Sequence, residues 1–259
     1  MKVYFIGAGP GAADLITLRG AKILGNCKMV LYAGSLIPED MLQHCQSEAE
    51  LLDTSKLDLE QQQACYQRAK HAGIDVARLH SGDPAIYGAT AEQMHRLDNM
   101  DIEYEIIPGV SSFSAAAAAI NSELTKPEIS QSIILTRVSG RASAVPELES
   151  IDKFAQHQAT MCIFLSGPHL KKIVADLLLH YPPTTPAALI YRATWPEQKS
   201  YKGTLETIIQ DTATDNWNLT TMLLVGSVLD EHMQAESSLY DKNFTHIFRV
   251  PKKNPQTEA

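Results

Sequence analysis

The chain has 259 residues, with 22 Lys+Arg against 30 Asp+Glu and a formal net charge of −8. Hydrophobic residues make up 44% and charged residues 20%, a globular balance that excludes disorder, collagen-like sequence and repeat architectures. Acidity also removes the basic field that a general nucleic-acid binder presents to phosphates, so no nucleic-acid partner is expected.

The first residues, Met1-Lys2-Val3-Tyr4-Phe5-Ile6, enter a glycine turn at once and lack the basic stretch, apolar stretch and cleavage site of a signal peptide. No window approaches the ~18–20 apolar residues of a membrane span. The expectation is a cytoplasmic protein with no membrane partner. Cys27, Cys45, Cys65 and Cys162 are scattered without a Cys-x-x-Cys pair. They read as reduced core thiols, and no metal site is expected.

Short apolar or β-branched runs predict strands at Val3–Ile6, Met29–Tyr32, Glu50–Asp53, Asp75–Leu79 and Glu103–Ile107. Between them, helical spacing marks a helix opening near Thr17, then Leu59–Ala72, Ala89–Leu97 and an alanine-rich segment at Phe113–Ile120. The alternation resumes with strands at Ser132–Thr136, Met161–Leu165, Ala188–Tyr191 and Met222–Val225. Their helices are predicted at Pro146–Gln156, Leu170–His180 and Leu205–Asp211. This rhythm predicts an α/β fold with mostly parallel sheets and crossover helices. One sheet of about ten strands would sit at the upper limit for an open twisted sheet, so two α/β domains are the easier solution. The expected division is 1–121 and 122–250, in the Asn, Ser, Lys and Pro cluster of Asn121 to Pro127, with 251–259 as a frayed tail.

Three glycine-proline turns follow strands of the first half. Gly7-Ala8-Gly9-Pro10-Gly11-Ala12 matches the dinucleotide-binding fingerprint in its strand–turn–helix setting. Two features oppose that reading. Pro10 has no N–H to offer a phosphate, and the acid due about 20 residues on is missing from Leu31-Tyr32-Ala33-Gly34-Ser35. The other turns are His80-Ser81-Gly82-Asp83-Pro84-Ala85-Ile86-Tyr87-Gly88 and Pro108-Gly109-Val110-Ser111-Ser112. Any one of them reads equally well as a tight structural connection. Three at the carboxyl ends of strands in one domain, where open α/β sheets bind ligands, point to a small-molecule cleft.

These turns, in this order, resemble the tetrapyrrole methylase family, whose members use S-adenosylmethionine as methyl donor. The resemblance rests on Gly7-Ala8-Gly9-Pro10-Gly11 with Asp14-Leu15-Ile16-Thr17, on Ser81-Gly82-Asp83-Pro84, and on Pro108-Gly109-Val110-Ser111-Ser112. It runs from Val3 to about Asp230. Further stretches, Leu31 to Leu36, Ile134 to Arg137 with Ser139-Gly140-Arg141, Ala193-Thr194-Trp195-Pro196, Leu239-Tyr240 and His246 to Arg249, look like the subgroup that methylates C-11 of a precorrin. Ala12 departs from the family, most of whose members carry an acid there.

The resemblance implies two α/β domains with the ligand cleft between them, commonly in a homodimer. It implies that S-adenosylmethionine contacts Pro10, Ser81, Gly82, Asp83, Ile86, Ser111 and Ser112 in the first domain, and Leu165 and Ala193 in the second. No catalytic base is identified. The implied tetrapyrrole (precorrin) substrate is a polycarboxylate entering an acidic protein, so it needs local cations. Arg137, Arg141 and Arg192 are the candidates, because guanidinium forks match carboxylates. Methylation of another tetrapyrrole carbon, and a binding module without turnover, remain as alternatives, and the sequence leaves open whether the substrate carries cobalt.

Overall fold

Ten strands in two sheets of five form the framework of the protein's computed structural model, which describes residues 1–139, 144–232, 244, 245 and 247. The first sheet contains β1 (Lys2–Gly7), β2 (Met29–Tyr32), β3 (Glu50–Asp53), β4 (Val76–His80) and β5 (Glu103–Ile107), in the order β3-β2-β4-β1-β5. Its neighbouring strands all run parallel. Such a sheet is covered on both faces, and alternate residues of each strand go to opposite covers. Val3, Phe5, Met29, Leu31 and Val76 pack with Tyr66 and Ala69 of α2 (Leu59–Ala72) and Leu97 of α3 (Thr90–Asp98). On the other face Ile6, Val30, Ala77 and Leu79 meet Leu24 of α1 (Leu18–Leu24) and Met41 of a 3-10 turn at Glu39–His44.

Local chemistry sets the helix ends. Thr17 caps α1 by accepting from the Gly20 N–H at 3.1 Å. Asp58 and Gln61 form a reciprocal capping box at the start of α2, and Gly73 ends that helix at φ 63°. After β5, α4 (Ser112–Ala119) carries the alanine run, with Ala115, Ala116 and Ala117 buried.

The second sheet contains β6 (Ile133–Arg137), β7 (Thr160–Phe164), β8 (Pro186–Tyr191), β9 (Lys199–Thr204) and β10 (Thr221–Val225), in the order β6-β7-β10-β8-β9. It is mixed: β6 and β7 are parallel, whereas β7 and β10 are antiparallel. Met161, Ile163, Leu189, Leu223 and Val225 form its core with α5 (Ile151–Ala155), α6 (Leu170–Leu177) and α7 (Ile208–Asp211). β9 was not foreseen. Its sequence, Lys-Ser-Tyr-Lys-Gly-Thr, has no apolar alternation because it occupies a sheet edge. The helix predicted at Pro146–Gln156 is interrupted at Ser150, whose backbone is extended.

Packing divides the chain into two compact units. The first joins Met1–Ile120 to Ile190–Ser200 and Thr220–Met222; the second is built on Asn121–Leu189, Tyr201–Leu219 and the stretch that begins at Leu223. The first unit is therefore discontinuous in sequence. Replacing Asp58 by Ala removes the capping box of α2, and a loss of about 1 kcal/mol is expected, read as a lower denaturant midpoint with an unchanged m-value.

Candidate functional site

Strand order brings the three glycine turns of the first unit together. β1 lies between β4 and β5, so the loops leaving their carboxyl ends are neighbours. One further parallel-ladder bond and then an antiparallel bridge link the first two of these loops. Ala8 N–H donates to His80 O at 2.8 Å, and Gly9 and Gly82 exchange backbone bonds of 3.2 and 2.7 Å, both with positive φ.

At the centre three glycines touch backbone to backbone. A Cβ placed on Gly7 would lie 2.5 Å from Gly109 Cα and 2.7 Å from Gly82 O, and one on Gly109 would lie 2.7 Å from Gly7 Cα. Side chains are excluded there, which leaves main-chain groups as the surface of the junction. Gly82 differs: a Cβ there would find its nearest neighbours at 3.6 Å and beyond.

Asp83 ties the second turn to the third. Its Oδ2 accepts from Gly109 N–H at 2.9 Å and its Oδ1 from Ala85 N–H at 2.8 Å. Behind the turn, His80 is 7% exposed, with its ring 5.7 Å from that of Phe5. Burial, with Arg78 nearby, pushes its pKa down to about 3, although it hydrogen-bonds the Gly88 backbone. His80 is thus neutral at ordinary pH. Arg78 is itself buried, held by Gln93 Oε1 at 3.1 Å and Leu79 O at 3.2 Å. Further along the turn Ile86 is half-buried, and Tyr87 and Ala89 take left-handed backbone around Gly88. Ser81 is exposed, Ser111 is buried at the start of α4, and Ser112 is half-buried.

A fourth segment reaches the first turn from far along the chain. Trp195 Nε1 donates to Pro10 O at 3.0 Å, and Ala12 N–H donates to Thr194 Oγ1 at 3.0 Å. Ala193, between Arg192 and Thr194, is buried. The Arg192 guanidinium lies 4.8 Å from the Trp195 ring and 5.5 Å from that of Tyr191, and pairs with Glu197 at 3.4 Å. Sequence reasoning quoted Trp195 and Thr194 without assigning them a partner. The signal was the Ala-Thr-Trp-Pro stretch, but nothing in it names Pro10, 185 residues away.

The first unit therefore holds Pro10, Ser81, Gly82, Asp83, Ile86, Ser111, Ser112, Arg192 and Ala193. Leu165 and Arg137 belong to the second. There Arg137 ends β6 and pairs in register with Phe164 of β7, so Leu165 leaves the adjacent carboxyl end, at φ 57° and 40% exposed. Arg141 lies outside the described residues, as do Gly140, Leu239, Tyr240, His246 and the predicted tail. Five residues at these strand ends, Tyr87, Ala89, Leu165, Arg192 and Thr194, have positive φ without being glycine. Backbone of that kind costs of order 1 kcal/mol per residue and persists where its surroundings over-determine it.

Tetrapyrrole (Corrin/Porphyrin) Methylases is the family matched, over residues 2–209. The chain is 47% identical over 249 residues to a precorrin-4 C(11)-methyltransferase of Pseudomonas aeruginosa, covering 96% of this chain and 99% of that one. It is 42% identical over 253 residues to a cobalt-precorrin-4 C(11)-methyltransferase of Methanocaldococcus jannaschii, covering 97% of each. Among solved structures, the X-ray structure of a cobalamin biosynthetic enzyme, cobalt precorrin-4 methyltransferase, is similar at a TM-score of 0.85 and 40% identity, over 88% of this chain and 96% of the other.

Two outcomes test the geometry of the junction. Gly7→Ala and Gly109→Ala drive a methyl into fixed backbone and are expected to cost about 3 kcal/mol or more, whereas Gly82→Ala meets only the left-handed penalty of about 1–2 kcal/mol. Equal losses in chemical denaturation would contradict the three-backbone contact. His80 supplies the second. Below pH 6.5 the unfolded chain binds its proton and the native protein does not, so stability falls as pH drops from 6.5 towards 3. His80→Phe is expected to flatten the dependence of unfolding free energy on pH between 7 and 5.

Proposed function

This chain belongs to the tetrapyrrole (corrin/porphyrin) methylases, and from that premise we propose that it transfers a methyl group from S-adenosylmethionine to C-11 of precorrin-4 or cobalt-precorrin-4 in cobalamin biosynthesis. The observation that carries the proposal is the match along almost the whole chain to enzymes named for that reaction, at 47% and 42% identity. The glycine junction supports it by offering a ligand surface of main-chain groups at three adjoining strand ends.

The residues present fit the donor. Adenosine needs backbone partners, small hydroxyls and apolar walls rather than a strong charge. Pro10, Ser81, Gly82, Asp83, Ile86, Ser111, Ser112 and Ala193 of the first unit, with Leu165 of the second, supply these and are the residues we assign to it. Bound there, the donor supplies a sulfonium methyl that is already electrophilic. What remains for the protein is alignment, with the reacting atoms held ~3–3.5 Å apart and in line. Asp83 contributes by fixing the second turn against the third through its two backbone bonds. The attacking ring carbon is electron-rich, and no side chain is assigned as base.

Arg137 and Arg192 are our candidates for gripping the substrate carboxylates, together with Arg141. Arg192 is already stacked on Trp195 and paired with Glu197, so it would present a pre-oriented cation. We take the working protein to be a cytoplasmic homodimer whose partner is the tetrapyrrole and which binds no nucleic acid; among the described residues no helix is long and apolar enough to cross a membrane.

Incubation of the protein with S-adenosylmethionine and precorrin-4, metal-free and cobalt-loaded in parallel, is expected to add the mass of one methylene at C-11 to at least one of them. Tight donor binding with no product from any tetrapyrrole would favour a binding module instead. Arg137→Ala is expected to raise the KM for the tetrapyrrole about tenfold, with the Kd for the donor within about twofold. Equal loss of both would remove Arg137 from carboxylate binding.

A further inference from the structure

The first glycine turn is held on two sides. On one, Gly9 pairs with Gly82; on the other, the Ile190–Ser200 segment closes over Pro10, Gly11 and Ala12, all within the first unit. Pro10 is buried, and lacking an N–H it has its carbonyl as its only main-chain polar group. That carbonyl accepts from the Trp195 indole at 3.0 Å. Gly11 lies so close beneath the ring that a Cβ on it would be 2.5 Å from Nε1. The next N–H, that of Ala12, is satisfied by the Thr194 hydroxyl.

The clamping segment is itself locked. Trp195 N–H donates to Arg192 O and Gln198 N–H to Trp195 O, both at 3.0 Å, while Thr194 N–H donates to Gln198 Oε1 at 2.7 Å. Arg192 N–H anchors the segment to Thr220 O at 3.1 Å, and the guanidinium lies over the indole ring, 4.8 Å from its centre. These bonds hold Arg192 at φ 46° and Thr194 at φ 72°, on either side of Ala193. Two strained residues therefore flank one proposed donor contact, and the neighbouring Trp195 binds another.

We infer that Trp195 and Thr194 are positioning residues of the methyl-donor site, which fix Pro10 and Ala193 relative to each other without taking part in the transfer. The inference rests on the proposed function. In this arrangement the indole N–H and the Thr194 hydroxyl set the pocket wall before the donor arrives, so their loss is felt in donor affinity rather than in the chemical step.

The test uses S-adenosylhomocysteine as the probe in titration calorimetry, together with steady-state kinetics on the whole protein. Trp195→Phe keeps an aromatic ring and removes the N–H. Thr194→Val keeps the shape and removes the acceptor, and Thr194→Ser keeps the acceptor. The first two are expected to weaken probe binding about five- to tenfold and to raise the KM for the donor by the same factor, with kcat at saturating donor reduced no more than about twofold. Thr194→Ser is expected to stay within about twofold of the unaltered protein. If Trp195→Phe does not fold, the Val and Ser pair at position 194 decides alone. Probe affinity unchanged in the folded Phe and Val variants, or a fall in kcat with KM unmoved, would overturn the inference. Failure of the unaltered protein to bind the probe would overturn the donor-site reading itself.

Discussion

Three glycine backbones in mutual contact, Gly7, Gly82 and Gly109, are the constraint on which the first unit depends. Parallel strands leave their loops at one edge, and loops with side chains would have to splay apart there. Removing every Cβ from the meeting point lets β1, β4 and β5 end against one another. The Ala8 bond then extends the ladder past the strands, Gly9 and Gly82 add an antiparallel bridge, and Asp83 can reach across from one loop to the next. A rigid edge made of main chain suits a ligand that must be aligned rather than chemically activated. Of the titratable groups beside it, Asp83 has its carboxylate engaged by two backbone N–H groups, and His80 is kept neutral by burial.

Five of the nine non-glycine residues with positive φ among the described residues follow strands at their carboxyl ends. Tyr87 and Ala89 follow β4, Leu165 follows β7, and Arg192 and Thr194 follow β8, all with positive φ. Glycine would relieve each of them. Keeping larger residues there has a cost, which the surrounding bonds offset most visibly at 192–198, where Gln198, Thr220 and Glu197 hold the segment. Order in these loops thus comes from two opposite uses of the backbone: glycine where loops must touch, and strained side-chain-bearing residues where surrounding bonds hold them.

Much of this was legible in the sequence because it depends on local signals. Glycine-proline turns after short apolar runs mark strand ends wherever the strands pair, and Asp58 with Gln61 writes a helix start in four residues. The α/β class followed from the same alternation. Other features depend on pairing, which a single sequence does not encode locally. β9 was invisible because an edge strand needs only one neighbour and little apolar pattern. The antiparallel run of β10 beside β7 is a matter of topology. Asp83 could be read as a ligand contact, but its grip on Gly109 required the two loops to be placed first. Trp195 is the clearest case: its motif stood out, yet its partner Pro10 is a carbonyl, a group that every residue possesses and no sequence can flag.

The discontinuity of the first unit has a consequence for how the molecule is made. Residues 1–120 carry all five strands of the first sheet, but Trp195 and Thr194 follow only after about seventy further residues. At roughly 5–20 residues per second, the Pro10 carbonyl waits on the order of ten seconds for its indole. During that interval Asn121–Leu189, the first part of the second unit, is synthesised, and the rest of that unit follows Trp195. The order of synthesis therefore couples completion of the first unit to delivery of most of the chain, and a product stalled midway would lack the Trp195 and Thr194 bonds to the first glycine turn.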